Sequence, residues 1–193
     1  MDKPLRADAA RNRGRLLDAA AALFAERGMD VPMEHIAKRA GLSIGTLYAH
    51  FPTRQAFFDA IFPDRLAELD RLAERALAEP DPWAGFVAFL EGIFALQAGD
   101  RGLNDAIARR FPTGPEVEAN CVRGVGRADE VIERAKAGGR LRPDFSVADL
   151  TTLTWAMSQV IRESGPWRRL LALVVDGLRA EGGQPERSTQ TMA

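Results

Sequence analysis

Apolar residues recur at three- and four-residue spacing along most of this chain, and no stretch alternates apolar and polar residues between turn-forming pairs. The observed spacing puts apolar side chains on one face of an α-helix, whereas alternation would indicate a half-buried β-strand. With 193 residues, 46% of them hydrophobic, the chain can bury a sizeable core. We therefore predict an all-α protein.

Caps and breaks divide this helical pattern into an N-terminal part and a body. The N-terminal segments expected to be helical are 11–27, 33–40, 44–51 and a longer one that starts after Thr53. Gly28 and Gly41 follow the first two segments, at positions typical of left-handed helix ends. Pro63 lies inside the fourth segment and should bend or interrupt it, because proline lacks an amide donor.

The sequence Pro80-Asp81-Pro82 marks the clearest break, after which the helices of the body follow. Helices are predicted there at 82–98, 103–111, 116–137, 147–164 and 166–181. Ser146 and Asp149 have the spacing of a capping box at the start of the fourth of these. The expected domains are a head, residues 1–62, a body, residues 63–181, and a flexible tail, residues 182–193.

Composition excludes several classes of protein. A single cysteine, Cys121, cannot form an internal disulfide. One cysteine with two histidines cannot form a zinc site of the usual Cys and His kind. No run approaches the roughly 18 apolar residues that a membrane span needs, and no signal peptide follows Met1. We expect a cytoplasmic protein with no metal, no cofactor and no membrane partner.

The net charge of -1 conceals a difference between the two ends of the chain. Residues 1–54 carry nine Lys or Arg against six Asp or Glu, a balance of +3. The remaining residues carry 17 basic and 21 acidic side chains, a balance of -4. A mildly basic head therefore precedes an acidic body, although an ordinary mixture of surface charges gives the same counts.

Residues 33–51 carry the most informative pattern. Two short helices that cross steeply need a small residue at their contact and a link that accepts a positive φ, and Ala37 and Gly41 meet these needs. The residues placed to close a small core between the helices are Ile36, Ala40, Leu42 and Leu47. The pattern predicts a helix-turn-helix, while its periodicity alone also fits a generic αα-hairpin.

The outward face of the second helix of this pair lacks the Glu and Lys of an ordinary solvated helix. Gly45 would let another surface come close. The hydroxyl, imidazole and guanidinium donors there belong to Thr46, Tyr48, His50 and Arg54 and are of the kind that holds a protein on phosphates. For Tyr48 and His50, packing against the first helix is the alternative.

The segments LDAAAALFAERG and IAKRAGLSIGTLYAHFPTRQAFF together resemble the DNA-binding head of the TetR family of bacterial transcriptional regulators. The resemblance spans roughly residues 11–62 and implies that the third helix enters the major groove of an operator. The residues it places at the DNA are Ser43, Ile44, Gly45, Thr46, Tyr48, His50 and Arg54. Arg54 stands where the family usually has lysine, and Pro32 where it usually has threonine.

Beyond residue 62 the resemblance is architectural and rests on GRLRPDFSVADL. It implies a helical domain that binds a small-molecule effector and forms a homodimer through its last two helices, which carry two apolar stripes here. The residues considered for an effector pocket are Phe86, Phe89, Leu90, Ile93, Phe111, Cys121, Trp155 and Met157. Ordinary core packing is the alternative for most of them.

Two other classes of function compete with a ligand-responsive repressor. A small helical enzyme is disfavoured, because the sequence has no GxSxG, P-loop or HExxH motif. A helical protein-interaction module, with the hairpin of the head binding a peptide, remains open. Binding to random duplex DNA separates these classes, since DNA binding weakens as salt rises.

Overall fold

The computed structural model describes residues 3–109 and 115–180, and for residues 3–6, 66 and 115–123 it describes the backbone alone. The helices are α1 (Lys3–Arg27), α2 (Met33–Ala40), α3 (Ile44–His50), α4 (Arg54–Ala78), α5 (Pro82–Gly99), α6 (Arg101–Ala108), α7 (Pro115–Ala137), α8 (Val147–Arg162) and α9 (Trp167–Gly177). These described residues contain no strand, and an isolated bridge joins Leu141 and Arg179. The all-α prediction is confirmed.

Several helix boundaries differ from the prediction, and for three of them the structure shows the reason. Helix α1 begins at Lys3 rather than at residue 11, because the sequence of its first turns has no apolar stripe to mark them, and residues 7–10 are exposed. Helix α6 begins two residues early, since Asp100 caps it by accepting a 3.0 Å hydrogen bond from the Leu103 amide. Helix α9 ends at Gly177, where the chain turns to pair with residues 140–142.

The boundaries of α2 agree with the prediction, and α7 and α8 differ from it by one or two residues. The predicted end of α6 at residue 111 and the tail, 182–193, lie outside the described residues.

Helix α4 runs without interruption through Pro63, so the predicted break is absent. The helix is held on both sides of the proline. Towards its N-terminus, the rings of Phe58 and Phe62 stack at 4.4 Å within the core of the head. Towards its C-terminus, Ala73 and Ala76 are buried in the core of the body. Packing at both ends offsets the cost of the missing amide donor.

Two separate hydrophobic cores lie along α4. The first is built by α1, α2, α3 and the first half of α4, with Leu16, Ile36 and Leu47 fully buried. The second is built by the remaining part of α4 with α5, α7, α8 and α9, and its centre includes Phe86 and Ile132.

Helix α6 connects the two cores. Its Leu103 and Ala106 side chains are buried in the core of the head, although the chain reaches α6 only after α5 of the body. The Met29 amide, in the turn after α1, donates a 3.0 Å hydrogen bond to the Asp105 carboxylate. Arg109 pairs through both terminal nitrogens with Asp30, at 2.9 and 2.6 Å. The head therefore rests on α6 through apolar, amide and charged contacts.

Candidate nucleic-acid interface

The turn between α2 and α3 has the geometry that the sequence predicted. Gly41 adopts φ of 64° and ψ of 37°, in the left-handed region that favours glycine. The Leu42 amide donates to the Ala37 carbonyl at 3.0 Å, which closes the end of α2. A side chain at residue 41 would also crowd the Arg15 guanidinium, because its Cβ would lie 2.8 Å from that group. The turn fixes how α3 projects from the head.

Ser43 forms the N-cap of α3. Its Oγ accepts a 3.1 Å hydrogen bond from the Thr46 amide and lies 2.9 Å from the Thr46 Oγ1. The two hydroxyls therefore hold each other at the leading end of the helix, on the exposed surface. This arrangement stabilises the first turn and leaves lone pairs and one hydroxyl hydrogen for an outside partner.

The outward face of α3 exposes apolar and aromatic side chains. Ile44 is 39% and Tyr48 47% exposed, whereas Leu47 between them is fully buried. A Cβ on Gly45 would meet only the Ser43 Oγ, at 3.8 Å, so the protein itself does not require glycine there. Residues 43–54 contain no Asp or Glu. The face is open, uncharged at its centre and free of groups that repel phosphate.

His50 and Arg54 lie at the far end of this face. His50 occupies the last turn of α3, is half-buried and makes no hydrogen bond with the described residues. Arg54 begins α4 and donates from Nη1 to the Met29 carbonyl. That bond ties the guanidinium to the turn after α1, so one of its donors is used within the head. The remaining donors can face a phosphate.

Two arginines of α1 also border the turn between α2 and α3, although the sequence pattern did not place them at the DNA. The Arg13 guanidinium lies over the Phe51 ring, 5.1 Å from its centroid, and Arg15 reaches the turn at Gly41. Arg11 pairs with Asp8 on the same helix. The four-residue spacing of Arg11 and Arg15 was the available signal in the sequence, because it places both side chains on one face of a helix.

Not every cation of the head is available to DNA. Both terminal nitrogens of Arg39 donate to the Glu26 carboxylate at 2.9 Å. The hydrogen bond from Arg39 lowers the pKa of Glu26, which keeps this exposed pair ionised. The charge of Arg39 is thus largely matched within the protein.

Two sequence profiles cover most of the chain. Residues 16–61 match bacterial regulatory proteins of the tetR family. Residues 81–180, more than half of the chain, match the C-terminal domain of SbtR-like transcriptional regulators. The chain belongs to the TetR family. It is a DNA-binding transcriptional regulator, as the sequence resemblance predicted.

Individual relatives agree with this assignment. The HTH-type transcriptional repressor KstR2 of Mycobacterium tuberculosis is 29% identical over 192 residues, with 88% of this chain and 94% of the relative covered. A crystal structure of a TetR transcription regulatory protein from Mycobacterium vanbaalenii is 35% identical, covers 92% of this chain and 100% of its own, and superposes with a TM-score of 0.56. The structure of the ketosteroid transcriptional regulator KstR2 of M. tuberculosis is 25% identical, with 88% and 95% covered and a TM-score of 0.61.

The body of this TetR-family chain contains an apolar cavity of about 700 Å³ between α4, α5, α7 and α8. Among the predicted pocket residues, Phe89, Ile93 and Trp155 line this cavity. Its wall also includes the consecutive threonines Thr151 and Thr152 of α8.

Three other predicted pocket residues lie elsewhere. Phe86, Leu90 and Met157 are fully buried in the core of the body rather than at the cavity wall. Phe111 lies outside the described residues, and Cys121 lies in α7 with its side chain outside the description. Spacing along α5 could not separate core from cavity, because both need apolar residues on the same helix.

Within residues 3–109 and 115–180, no helix is long and apolar enough to cross a bilayer. In the same ranges, no group of three or more His, Cys, Asp or Glu side chains is arranged to hold a metal ion.

Proposed function

We propose that the protein is a ligand-responsive repressor that binds a palindromic operator as a homodimer, with α3 in the major groove of each half-site. The observation that carries this proposal is the outward face of α3, where Gly45 is open to solvent between exposed Ile44 and Tyr48. Because nothing inside the protein requires glycine at residue 45, its lack of a side chain fits a close approach of the major groove of DNA. Direct base contacts then come from Ile44, Gly45 and Thr46, and phosphate contacts from Tyr48 and Arg54.

The proposed homodimer forms through α8 and α9. Helix α9 exposes Leu170 and Leu173, the latter to 52%, beside the half-buried Val174. Exposed leucines on one side of a helix favour association with a second apolar surface. One seven-residue helix makes few base contacts, so two heads reading successive major grooves about 34 Å apart supply the specificity of an operator.

The proposed effector is a largely apolar molecule that occupies the cavity of the body. The hydroxyls of Thr151 and Thr152 donate to carbonyls one turn earlier in α8, at 2.9 Å each. Their lone pairs remain to accept a bond from a ligand, while Phe89 and Ile93 supply apolar contact. The description of KstR2 as a ketosteroid regulator makes ketosteroids a reasonable first class to test.

Selection of DNA from a random duplex pool tests the operator proposal. We expect the enriched fragments to share an inverted repeat, and binding to weaken steeply as salt rises. Enrichment of no sequence, together with salt-independent binding of an apolar peptide, would instead support the protein-interaction module. A single unrepeated half-site would contradict the homodimer.

Filling the cavity tests the effector proposal. Gly124 lines the cavity and has no heavy atom near the position of a Cβ, so Gly124→Leu should occupy ligand space and prevent a ketosteroid such as androstenedione from releasing operator DNA. Gly126→Leu is the matched control, because residue 126 lies on the same helix, is equally open and does not line the cavity. Equal response of both variants to the steroid would place its site elsewhere.

A further inference from the structure

A second, polar cavity of about 470 Å³ lies where the head meets the body, and we call it the junction cavity. Its wall combines the end of α1 with the ends of α5 and α8, the middle of α6 and the turn before α9. The side chains that matter for its chemistry are Arg27, Gln97, Arg101, Asn104, Asp105 and Arg162. The junction cavity shares no lining residue with the apolar cavity of the body.

Two buried amide side chains in this wall have polar atoms without hydrogen-bond partners. Gln97 is 1% exposed, and neither its Nε2 nor its Oε1 has a partner. Asn104 donates from Nδ2 to the Ser158 carbonyl at 3.0 Å, but its Oδ1 has none. Buried polar groups are nearly always paired, so the two amide oxygens call for hydrogen-bond donors, and the Gln97 Nε2 for an acceptor, from outside the chain.

The charges of the wall are unbalanced. Arg27 and Arg101 form no ion pair with the described residues, and Arg162 approaches only the adjacent Glu163, at 3.6 Å. Asp105 is the acidic residue among the lining groups, and its carboxylate is already engaged by the Met29 amide at 3.0 Å. Three guanidinium groups thus border a cavity with one occupied carboxylate.

We propose that the junction cavity binds a small hydroxylated carboxylate. The carboxylate groups of such a ligand pair with the guanidinium groups, which match them in charge and in planar geometry. Its hydroxyl donates to the free amide oxygen of Gln97, and the Gln97 Nε2 donates to a ligand oxygen. A plain anion satisfies only the cationic part of this wall, and an apolar ligand satisfies neither part.

Titration calorimetry with citrate at physiological ionic strength tests the proposal without DNA, so its outcome is independent of operator binding. We expect saturable binding of one citrate per chain. Tricarballylate carries the same three carboxylates without the hydroxyl and should bind several-fold more weakly. Sulfate, as an anion without a carboxylate, should bind weakest.

Substitutions then locate the site. Arg101→Gln should weaken citrate binding at least tenfold, whereas Arg71→Gln, which changes an exposed arginine of α4 paired with Glu68, should leave it unchanged. Gln97→Leu should remove the preference for citrate over tricarballylate, and Gln97→Met serves if the leucine variant does not fold. Circular dichroism confirms the fold of each variant.

Four results would overturn the proposal. They are the absence of saturable heat at 10 mM citrate, equal affinity for citrate and sulfate, unchanged affinity in folded Arg101→Gln, and an undiminished preference for citrate in folded Gln97→Leu or Gln97→Met. The first of these would mean that water alone fills the cavity and pairs with the amides, and the second that the cavity takes any small anion.

Discussion

Single residues decide how α3 meets its partner, and the structure separates those that serve the fold from those that do not. Ser43 contributes to the fold and is also accessible to DNA, because its hydroxyl caps the helix and still lies on the surface. Leu47 serves the fold alone, since it is fully buried. Gly45 is needed neither for capping nor for packing inside the protein, so a substitution there tests most directly whether α3 contacts the DNA groove.

Replacing Gly45 with glutamate should abolish operator binding, because a long acidic side chain would meet the DNA where the surfaces come closest. The fold should persist, since the added Cβ has room. Gly45→Ala is the control: it favours the helix and adds no charge, so it should bind more strongly than the glutamate variant. Binding titrations on operator duplex measure the difference, and parent-like binding by folded Gly45→Glu would exclude α3 from the groove.

Arg54→Ala should weaken binding to operator and scrambled DNA alike and lower the salt slope by about one charge per head. Because Arg54 also donates to the Met29 carbonyl, the variant should lose stability as well. Arg54→Lys keeps the charge and should preserve the salt slope. Titrations at several salt concentrations, with thermal unfolding in parallel, separate the two roles, and an unchanged slope in Arg54→Ala would leave the residue a structural role only.

At the scale of helices, local chemistry predicted most of the fold. The capping box of Ser146 and Asp149 is present in both directions, and Asp81 caps α5 by accepting a 2.9 Å bond from the Trp83 amide. The interruption that Pro63 predicted as one of two outcomes is absent, because α4 is held by two cores that a local pattern does not contain. In general, features fixed by a few neighbouring residues were predictable from the sequence.

The candidate sites show the same division. The outward face of α3 followed from residues close together in the chain, whereas the tie between Arg54 and the Met29 carbonyl joins residues 25 positions apart. The division of α5 residues between core and cavity depends on which helices pack against it. Gln97 lies among apolar residues in the sequence, but only the packed structure reveals that its amide is buried without partners.

The capping box of α8 should make stability depend on pH. Hydrogen bonds from the Ser146 hydroxyl and amide lower the pKa of Asp149 below its ordinary value of 3.8. A lowered pKa stabilises the folded state above the ordinary value, and this contribution disappears as pH falls through the folded-state pKa. Asp149→Asn should therefore be less stable than the parent at pH 7, with the gap closing towards pH 2. Chemical unfolding across this range measures it, and a constant gap would contradict the ionic contribution.

At the scale of the whole molecule, the head is fastened to the body at the turn after α1. Gly28 has φ of 81°, and a Cβ there would lie 2.3 Å from the Asp105 carboxylate. That carboxylate holds the Met29 amide, and Asp30 in the same turn pairs with Arg109. The turn of residues 28–30 is therefore held against α6 and its C-cap, Arg109.

Gly28→Ala should destabilise the protein for two reasons, the positive φ and the displacement of Asp105. Gly139→Ala isolates the first, because residue 139 has φ of 71° with open space around its Cβ position. The control should cost about 1 kcal/mol, as a left-handed conformation does for residues other than glycine, and Gly28→Ala should cost more. Thermal unfolding compares them, and equal losses would show that the contact with Asp105 contributes nothing.

Dimerisation through α9 is a further property of the whole molecule that a substitution can test. Leu173→Arg places a charge on the exposed face of α9 and should convert a dimer into monomers, whereas the buried Leu171 is not accessible for such a test. Sedimentation at micromolar concentration measures the state of parent and variant. We expect the monomeric variant to lose affinity for the full operator more than for an isolated half-site. A parent that sediments only as a monomer would contradict the dimer.

The eight residues of α6 make it a short rigid lever. At 1.5 Å per residue it is about 12 Å long, so a tilt of about 10° about one end moves the other by about 2 Å. Asp100, which caps its start, bonds Arg65 of α4 at 2.9 Å, while Asp105 in its second half and Arg109 directly after it bond the turn of the head. A small rotation of the body that tilted α6 would therefore displace the head by a distance comparable to the length of a hydrogen bond.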